Sequence, residues 1–407
     1  MTAPTQAPLP GDRAARQRLS VLIAASCVDM IGFAMVLPLL PFYATELQAT
    51  PKTIGWIIAS FSIAQLLSAP LWGRVSDRYG RRPALLIGLS ASAVAYIVFG
   101  LAHSVALLFL SRIVQGAGGG TTGVAQAYVA DTIEPGGRAR ALGWLSAATS
   151  LGVMIGPVIG SLAAHWGRAV PGFVAAGLCL ANVAFAWRYL PESRRPGEHH
   201  PARKPVWHAA WQVLRRPGTP VARLIWIYAV GMLAFTCLTA VLPLFLGAEY
   251  GVTEKTIGYF FLYVGALSLL MRSLFLGPIV DRIGEAWAMR AGCACLIVGL
   301  LLYPAVSHLW ALAFVIPFVP VGTALLFPST TALMSHAADK ADLGTVMGSA
   351  QTFAGVARVV APILATRAFQ DWGHDWPFYM AAATVALVSI LAFRLGPVAH
   401  PTRTGPA

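Results

Sequence analysis

The chain has 407 residues, of which 57% are hydrophobic and only 11% charged, with a mean hydropathy of +0.68; this balance excludes a soluble globular protein and predicts a membrane protein. A net charge of +13 would suggest nucleic acid for a soluble chain, but Lys- and Arg-rich loops on one membrane face produce the same excess, and the apolar runs favour that origin. The five cysteines, Cys27, Cys179, Cys237, Cys293 and Cys295, all fall in apolar runs without a CxxC pair, which favours packing over metal or redox chemistry.

The first 18 residues are polar, Pro-rich and basic and read as a cytoplasmic tail; the apolar run that follows is too long for a signal-peptide core. A span needs about 20 mostly apolar residues, and the first such run covers residues 19–43. Asp29 lies about 15 Å along that helix, near mid-membrane. It is the only acid that the pattern puts deep in any span. Intramembrane acids are costly and usually functional, and a nearby arginine is the expected partner.

Runs at 54–72 and 83–102 follow, separated by GRVSDRYGRRP, residues 73–83. Small residues there, Gly73, Ser76 and Gly80, permit a sharp turn. Asp77 suits a helix N-terminus, and Arg74, Arg78, Arg81 and Arg82 suit an anionic inner leaflet. The fourth run, 105–129, contains SRIVQGAGGGTTGVAQ. Helical spacing puts Arg112, Gln115, Gly119, Thr122 and Gln126 on one stripe, which must face protein or water rather than lipid. At its end, Asp131 and Glu134 are the nearest acids for the loop arginines. The fifth run, 141–165, spaces Gly152, Gly156 and Gly160 one turn apart, a bare ridge that lets another helix approach closely. Residues 170–190 make the sixth.

Residues 191–220 form a polar, basic linker, in which PVWHAAWQVLRRP puts Trp207, Trp211 and Leu214 on one face with Lys204, Arg215 and Arg216 at its ends. An interfacial helix on the inner leaflet is expected there. Six more runs follow at 221–247, 256–276, 287–307, 309–334, 345–369 and 375–395, leaving residues 396–407 as a C-terminal tail. Tyr228, Met232, Phe235 and Thr239 form a stripe on the seventh, and Tyr259 and Tyr263 add a pair on the eighth. Such surfaces adapt to flat apolar ligands, although helix packing explains them equally well. Arg358, at mid-depth on the eleventh run and on one stripe with Gln351 and Gly355, meets either an anionic ligand group or a neighbour's backbone. Arg272 is expected to snorkel.

Positive residues cluster on one side; only Lys52, Arg168, Lys255 and Arg367 fall on the other. Both termini and the linker are therefore expected in the cytoplasm. The halves also repeat at an offset of about 204 residues. Thr53-Ile54-Gly55 returns as Thr256-Ile257-Gly258, Gly73…Asp77-Arg78…Gly80 as Gly277…Asp281-Arg282…Gly284, and Trp166-Gly167 as Trp372-Gly373. A duplicated six-helix bundle of this kind places its substrate cavity between the halves.

Gly73, Ser76, Asp77, Arg78, Gly80, Arg81 and Arg82 resemble the loop signature of the major facilitator superfamily. Arg112, Gln115 and Gly116 resemble its fourth-helix motif, whose arginine is linked to proton movement. Gly156-Pro157 within the glycine ladder resembles the motif of its proton-driven exporters. Residues 127–160 look most like tetracycline/proton antiporters and their multidrug relatives. Tetracycline exporters generally carry an acid just before a tyrosine on the third span, where this chain has Val94-Ala95-Tyr96, a departure from the tetracycline pattern. The resemblance implies an all-α transmembrane fold, two pseudo-symmetric six-helix bundles around a central cavity, and alternating access.

The expected function is a proton-coupled exporter of small amphipathic compounds. Asp29 would carry the proton, Arg112 would tune it, and Asp77 with its arginines would form a latch that breaks as the halves rock. No cofactor beyond the proton gradient, no metal and no nucleic acid is expected; the partners are the substrate, protons and the bilayer, with the chain acting as a monomer. A metabolite or siderophore exporter is the alternative on the same scaffold, and a non-transporting sensor a further one. No His, Ser or paired-carboxylate cluster suggests an enzyme.

Overall fold

Proline and glycine decide where the helices begin and end. In the computed structural model, which describes residues 10–193, 211, 213–338 and 342–393, every regular element among the described residues is a helix. The first half comprises α1 (Pro10–Val36), α2 (Leu40–Glu46), α3 (Pro51–Tyr79), α4 (Arg81–Gly100), α5 (Val105–Gly118), α6 (Thr121–Thr132), α7 (Pro135–Ala164) and α8 (Val170–Tyr189). The second comprises α9 (Pro220–Tyr250), α10 (Ile257–Leu270), a π-helical turn (Met271–Phe275), α11 (Leu276–Ile283), α12 (Glu285–Leu302), α13 (Leu309–Val315), α14 (Phe318–Ala337), α15 (Leu343–Asp371) and α16 (Trp376–Phe393).

Among the described residues, 11 helical stretches are long and apolar enough to cross a membrane. The remaining expected span is the fourth, which breaks at Gly119–Gly120 into α5 and α6, each too short to qualify alone. Two other boundaries differ from expectation. α1 starts at Pro10, so part of the anticipated tail is helical. The supposed loop at 73–83 hardly exists, because α3 runs on to Tyr79 and α4 begins at Arg81. The reversal is made by Gly80 alone, at φ +106°, a conformation that an L side chain rarely adopts. The tails at 1–9 and 394–407 and linker residues 194–210, including Trp207 and Lys204, lie outside the described residues; Trp211 and Leu214 are exposed, and the Arg215 guanidinium lies 5.0 Å from the Trp211 ring centre.

The helices gather into two compact units. The first falls within Met1–Pro201 and Gly251–Gly265, the second within Ala202–Tyr250 and Ala266–Ala407. Packing thus assigns the first part of the eighth span to the first unit, although it follows the linker in sequence. The internal repeat is written in the backbone as well: Gly80 and Gly284 share positive φ at corresponding junctions, as do Gly167 and Gly373.

Candidate functional site

Asp29 owes its position to the glycine ladder of α7. A Cβ at Gly152 would lie 2.5 Å from the Cys27 carbonyl oxygen, one at Gly156 2.7 Å from that of Ile31, and one at Gly160 2.5 Å from that of Met35. The ridge therefore lies against the backbone of α1 on both sides of Asp29, so the close approach expected of it is made to the helix that carries the acid. Asn182 of α8 ties the same helix down, its Nδ2 donating to the Ala25 carbonyl at 2.8 Å. Asp29 is buried, 7% exposed, and its Oδ2 accepts from the Thr121 hydroxyl at 3.1 Å.

The break in the fourth span explains why Thr121 makes that bond. The carbonyls orphaned at the end of α5 need donors, since an unsatisfied backbone group in hydrocarbon is expensive. α3 supplies them: Gln65 Nε2 donates to Gly119 O at 3.1 Å, Ser68 Oγ to Gly116 O at 3.2 Å and Trp72 Nε1 to Ala117 O at 2.6 Å. The Trp72 ring fills the space where a Cβ on Gly120 would stand. Helical phase is reset across the break. The single stripe expected from Arg112 to Gln126 is therefore split: Arg112 and Gln115 are buried, whereas Thr122 and Gln126 are exposed.

Among the described residues Arg112 forms no ion pair with Asp29. It is 1% exposed, its guanidinium lies 5.6 Å from the Phe99 ring centre, and its Nε and Nη2 have no hydrogen-bond partner among the described residues. Tyr96, buried on α4, accepts from Gln115 Nε2 of α5 at its hydroxyl, at 2.5 Å. Asp29, Tyr96, Arg112, Gln115 and Thr121 thus form a buried polar cluster in the first unit. Sequence patterning missed Tyr96 and Thr121; the only signal for Tyr96 was its place in the tyrosine position of the third span.

At the end of the same unit, Arg81 joins three elements. Its Nη1 meets Asp77 Oδ1 at 2.8 Å and the Ser76 hydroxyl at 2.5 Å, and its Nε meets Asp131 Oδ2 at 2.8 Å. Glu134, also expected here, is exposed and pairs with no arginine among the described residues. The N-terminus of α4 is capped by Glu192, an acid that patterning had left in the linker: Arg81 N–H donates to Oε1 at 2.8 Å and Arg82 N–H to Oε2 at 3.1 Å. An anion there satisfies orphan donors and complements the helix dipole. Gly80 makes room, since a Cβ would overlap the Glu192 carboxylate. Arg82 reaches the Trp187 carbonyl, and Arg78 lies over Tyr79. Gly73 lies in α3 with nothing within 4 Å of a would-be Cβ, so it does not make the turn.

The second unit holds a separate group. Tyr228 of α9 packs edge-on against Phe327 of α14, with ring centres 5.3 Å apart, and Phe235 does the same at 6.4 Å. Gln351 Nε2 of α15 donates to the Tyr228 hydroxyl at 3.3 Å, and Arg358 Nη2 donates to Gln351 Oε1 at 3.4 Å. Met232 is half-buried, and Thr239 bonds its hydroxyl to its own helix at the Phe235 carbonyl. Tyr259 and Tyr263 lie elsewhere, on the part of the eighth span that belongs to the first unit. There Ser161 of α7 accepts from Gly258 N–H at 2.8 Å and donates to Glu254 O at 2.8 Å.

Comparisons with known proteins agree with this architecture. The family model described as Major Facilitator Superfamily matches residues 22–362 and, in a second match, 224–407. The class C tetracycline resistance protein of Escherichia coli is 28% identical, over 95% of this chain and 98% of its own length. Multidrug resistance protein 2 of Bacillus subtilis is also 28% identical, over 89% and 90% respectively. Among solved structures, the human organic anion transporter crystal structure superposes with a TM-score of 0.70 at 22% identity, covering 95% of this chain and 100% of that one; at that identity the likeness is one of fold.

Proposed function

The chain belongs to the major facilitator superfamily of membrane transporters, and from that premise we propose that it is a proton-coupled exporter of small amphipathic organic compounds working by alternating access. The observation that carries the reading is Asp29: a carboxyl buried inside a span and held, among the described residues, by one hydroxyl hydrogen bond and by no ion pair. A carboxylate locked to a guanidinium keeps its charge, whereas one held by a neutral donor can gain and lose a proton as its surroundings change. Thr121 suits both states, since a hydroxyl donates to a carboxylate and accepts from a carboxylic acid. Tyr96 and the incompletely bonded Arg112 give a charge change at Asp29 a route to the rest of the cluster.

The export direction rests on the relatives, whose names are those of tetracycline and multidrug resistance proteins, and on the Gly156-Pro157 ladder packed against the acid-bearing helix. In this reading the chain acts as a monomer in the cell membrane with both termini in the cytoplasm. The Arg81 network lies on the cytoplasmic side and acts as the latch.

The test is transport of a panel of dyes and drugs into proteoliposomes under an imposed pH gradient. Wild-type protein accumulates substrate, and collapsing the gradient abolishes accumulation. Asp29→Asn retains substrate binding but loses gradient-driven uptake. Coupling at a normal level in that variant removes Asp29 from the mechanism.

A further inference from the structure

Among the described residues of the second unit, two arginines inside spans, Arg272 and Arg358, have no carboxylate partner. Arg272 lies on the π-helical turn between α10 and α11, and among the described residues it makes no hydrogen bond and no ion pair. Arg358 of α15 has, among the described residues, only the long 3.4 Å bond to Gln351. Arg290 shows the contrast: it donates twice to the Ala392 carbonyl and stacks on Trp287 and Phe393. Among the described residues of the second unit, Glu249, Asp281, Glu285, Asp342, Asp371 and Asp375 all lie at helix ends or in loops.

Both arginines lie around Tyr228. Arg358 reaches it through Gln351, which bonds the Tyr228 hydroxyl, and Arg272 sits on the π turn, which packs against α14, the helix whose Phe327 ring meets that of Tyr228. Depth agrees with this. At 1.5 Å per residue, Arg272 is about 16 Å from the Ile283 end of its span, Arg358 about 22 Å from the Leu343 end of its own, and Tyr228 about 12 Å from Pro220. The π turn inserts an extra residue into the helix and re-aims the side chain, as such turns often do at functional sites.

We infer that Arg272, Arg358, Tyr228 and Gln351, backed by the Phe235 and Phe327 rings, form the polar end of a substrate site that takes an aromatic organic anion. Unneutralised guanidinium groups inside a span call for a counter-charge, and a planar carboxylate or sulfonate offers them paired acceptors. The adjoining rings suit an aromatic body and disfavour a small hydrated ion. The inference deepens the exporter reading by naming its substrate class, and it rests on that reading for the transport step but not for binding.

The test uses the full-length protein in phosphatidylcholine nanodiscs with naphthalene-2-sulfonate, which is anionic at every working pH, and ethidium as the cationic counterpart. The wild type binds the sulfonate. Arg272→Gln and Arg358→Gln each weaken that binding about tenfold, the scale of one lost charge-assisted contact, and leave ethidium binding unchanged or tighter. Arg358→Lys recovers part of the loss, which separates charge from misfolding. The inference is overturned if wild type binds only ethidium, if the Gln variants bind the sulfonate normally, or if phosphatidylglycerol in the disc displaces it at the same arginines, which would make the site a lipid one. Sulfonate binding that depends on both arginines, without gradient-driven flux in proteoliposomes, upholds this site while defeating the proton-coupled reading. Gradient-driven ethidium flux without sulfonate binding does the reverse.

Discussion

Arg81 holds α3, α4 and α6 together through one guanidinium, and its two acids are not equivalent. Asp131 has a side chain 21% exposed, while that of Asp77 is 58% exposed. Removing either acid leaves the other on the guanidinium, so neither loss strands the charge; the exposed pair is screened and contributes about 1 kcal/mol or less, while the less exposed one is screened less and is worth more. Asp131→Asn is therefore expected to lower the unfolding temperature in detergent clearly more than Asp77→Asn. Equal effects from the two substitutions would contradict the assignment of Asp131 as the structural anchor. Sequence spacing could nominate both Asp131 and Glu134 because they lie three residues apart, but Asp131 is in the last turn of α6 while Glu134 stands just before α7, and only the approach of α4 selects between them.

At the scale of elements, glycine roles separate cleanly. A methyl at Gly156 would lie 2.7 Å from both Ala34 Cβ and Ile31 O, and forcing α1 and α7 apart costs about 1–3 kcal/mol by overpacking. Gly73 has open space around it, and replacing a helix-interior glycine by alanine gains roughly 0.5–1 kcal/mol in helix propensity. Thermal denaturation is expected to place Gly156→Ala below wild type and Gly73→Ala level with it or slightly above. The ladder was readable because small residues one turn apart have few other uses in a span. Its partner was not, since nothing in residues 152–160 says which helix they meet.

For the whole molecule, the proposed orientation has a direct check. With Arg78→Cys and Lys52→Cys placed in turn in a background lacking the five native cysteines, an impermeant thiol reagent is expected to label position 78 only from the cytoplasmic face and position 52 only from the opposite one. Both positions on one face would break the alternation of spans. The two-unit division adds something that the linear order concealed. Residues 251–265 pack with the first unit through Gly258 and Gly265, where a Cβ would meet Pro157 O at 2.6 Å and Met154 Cγ at 2.6 Å respectively.

The sequence by itself determined the class of protein, its architecture of many crossing helices and the family, because lipid imposes a length and a polarity on every crossing segment and a repeat preserves its turn glycines. Even Gly80 and Gly284, now seen at φ +106° and +79°, were visible as matched letters. Tertiary structure decided the pairings: Thr121 rather than Arg112 on Asp29, Glu192 on the start of α4, Gln351 on Tyr228. Each joins residues dozens of positions apart or depends on a local break in helical phase, as at Gly119–Gly120. Periodicity extrapolates a regular helix through such places, and donors brought in by other helices are what make the irregular course affordable in a membrane.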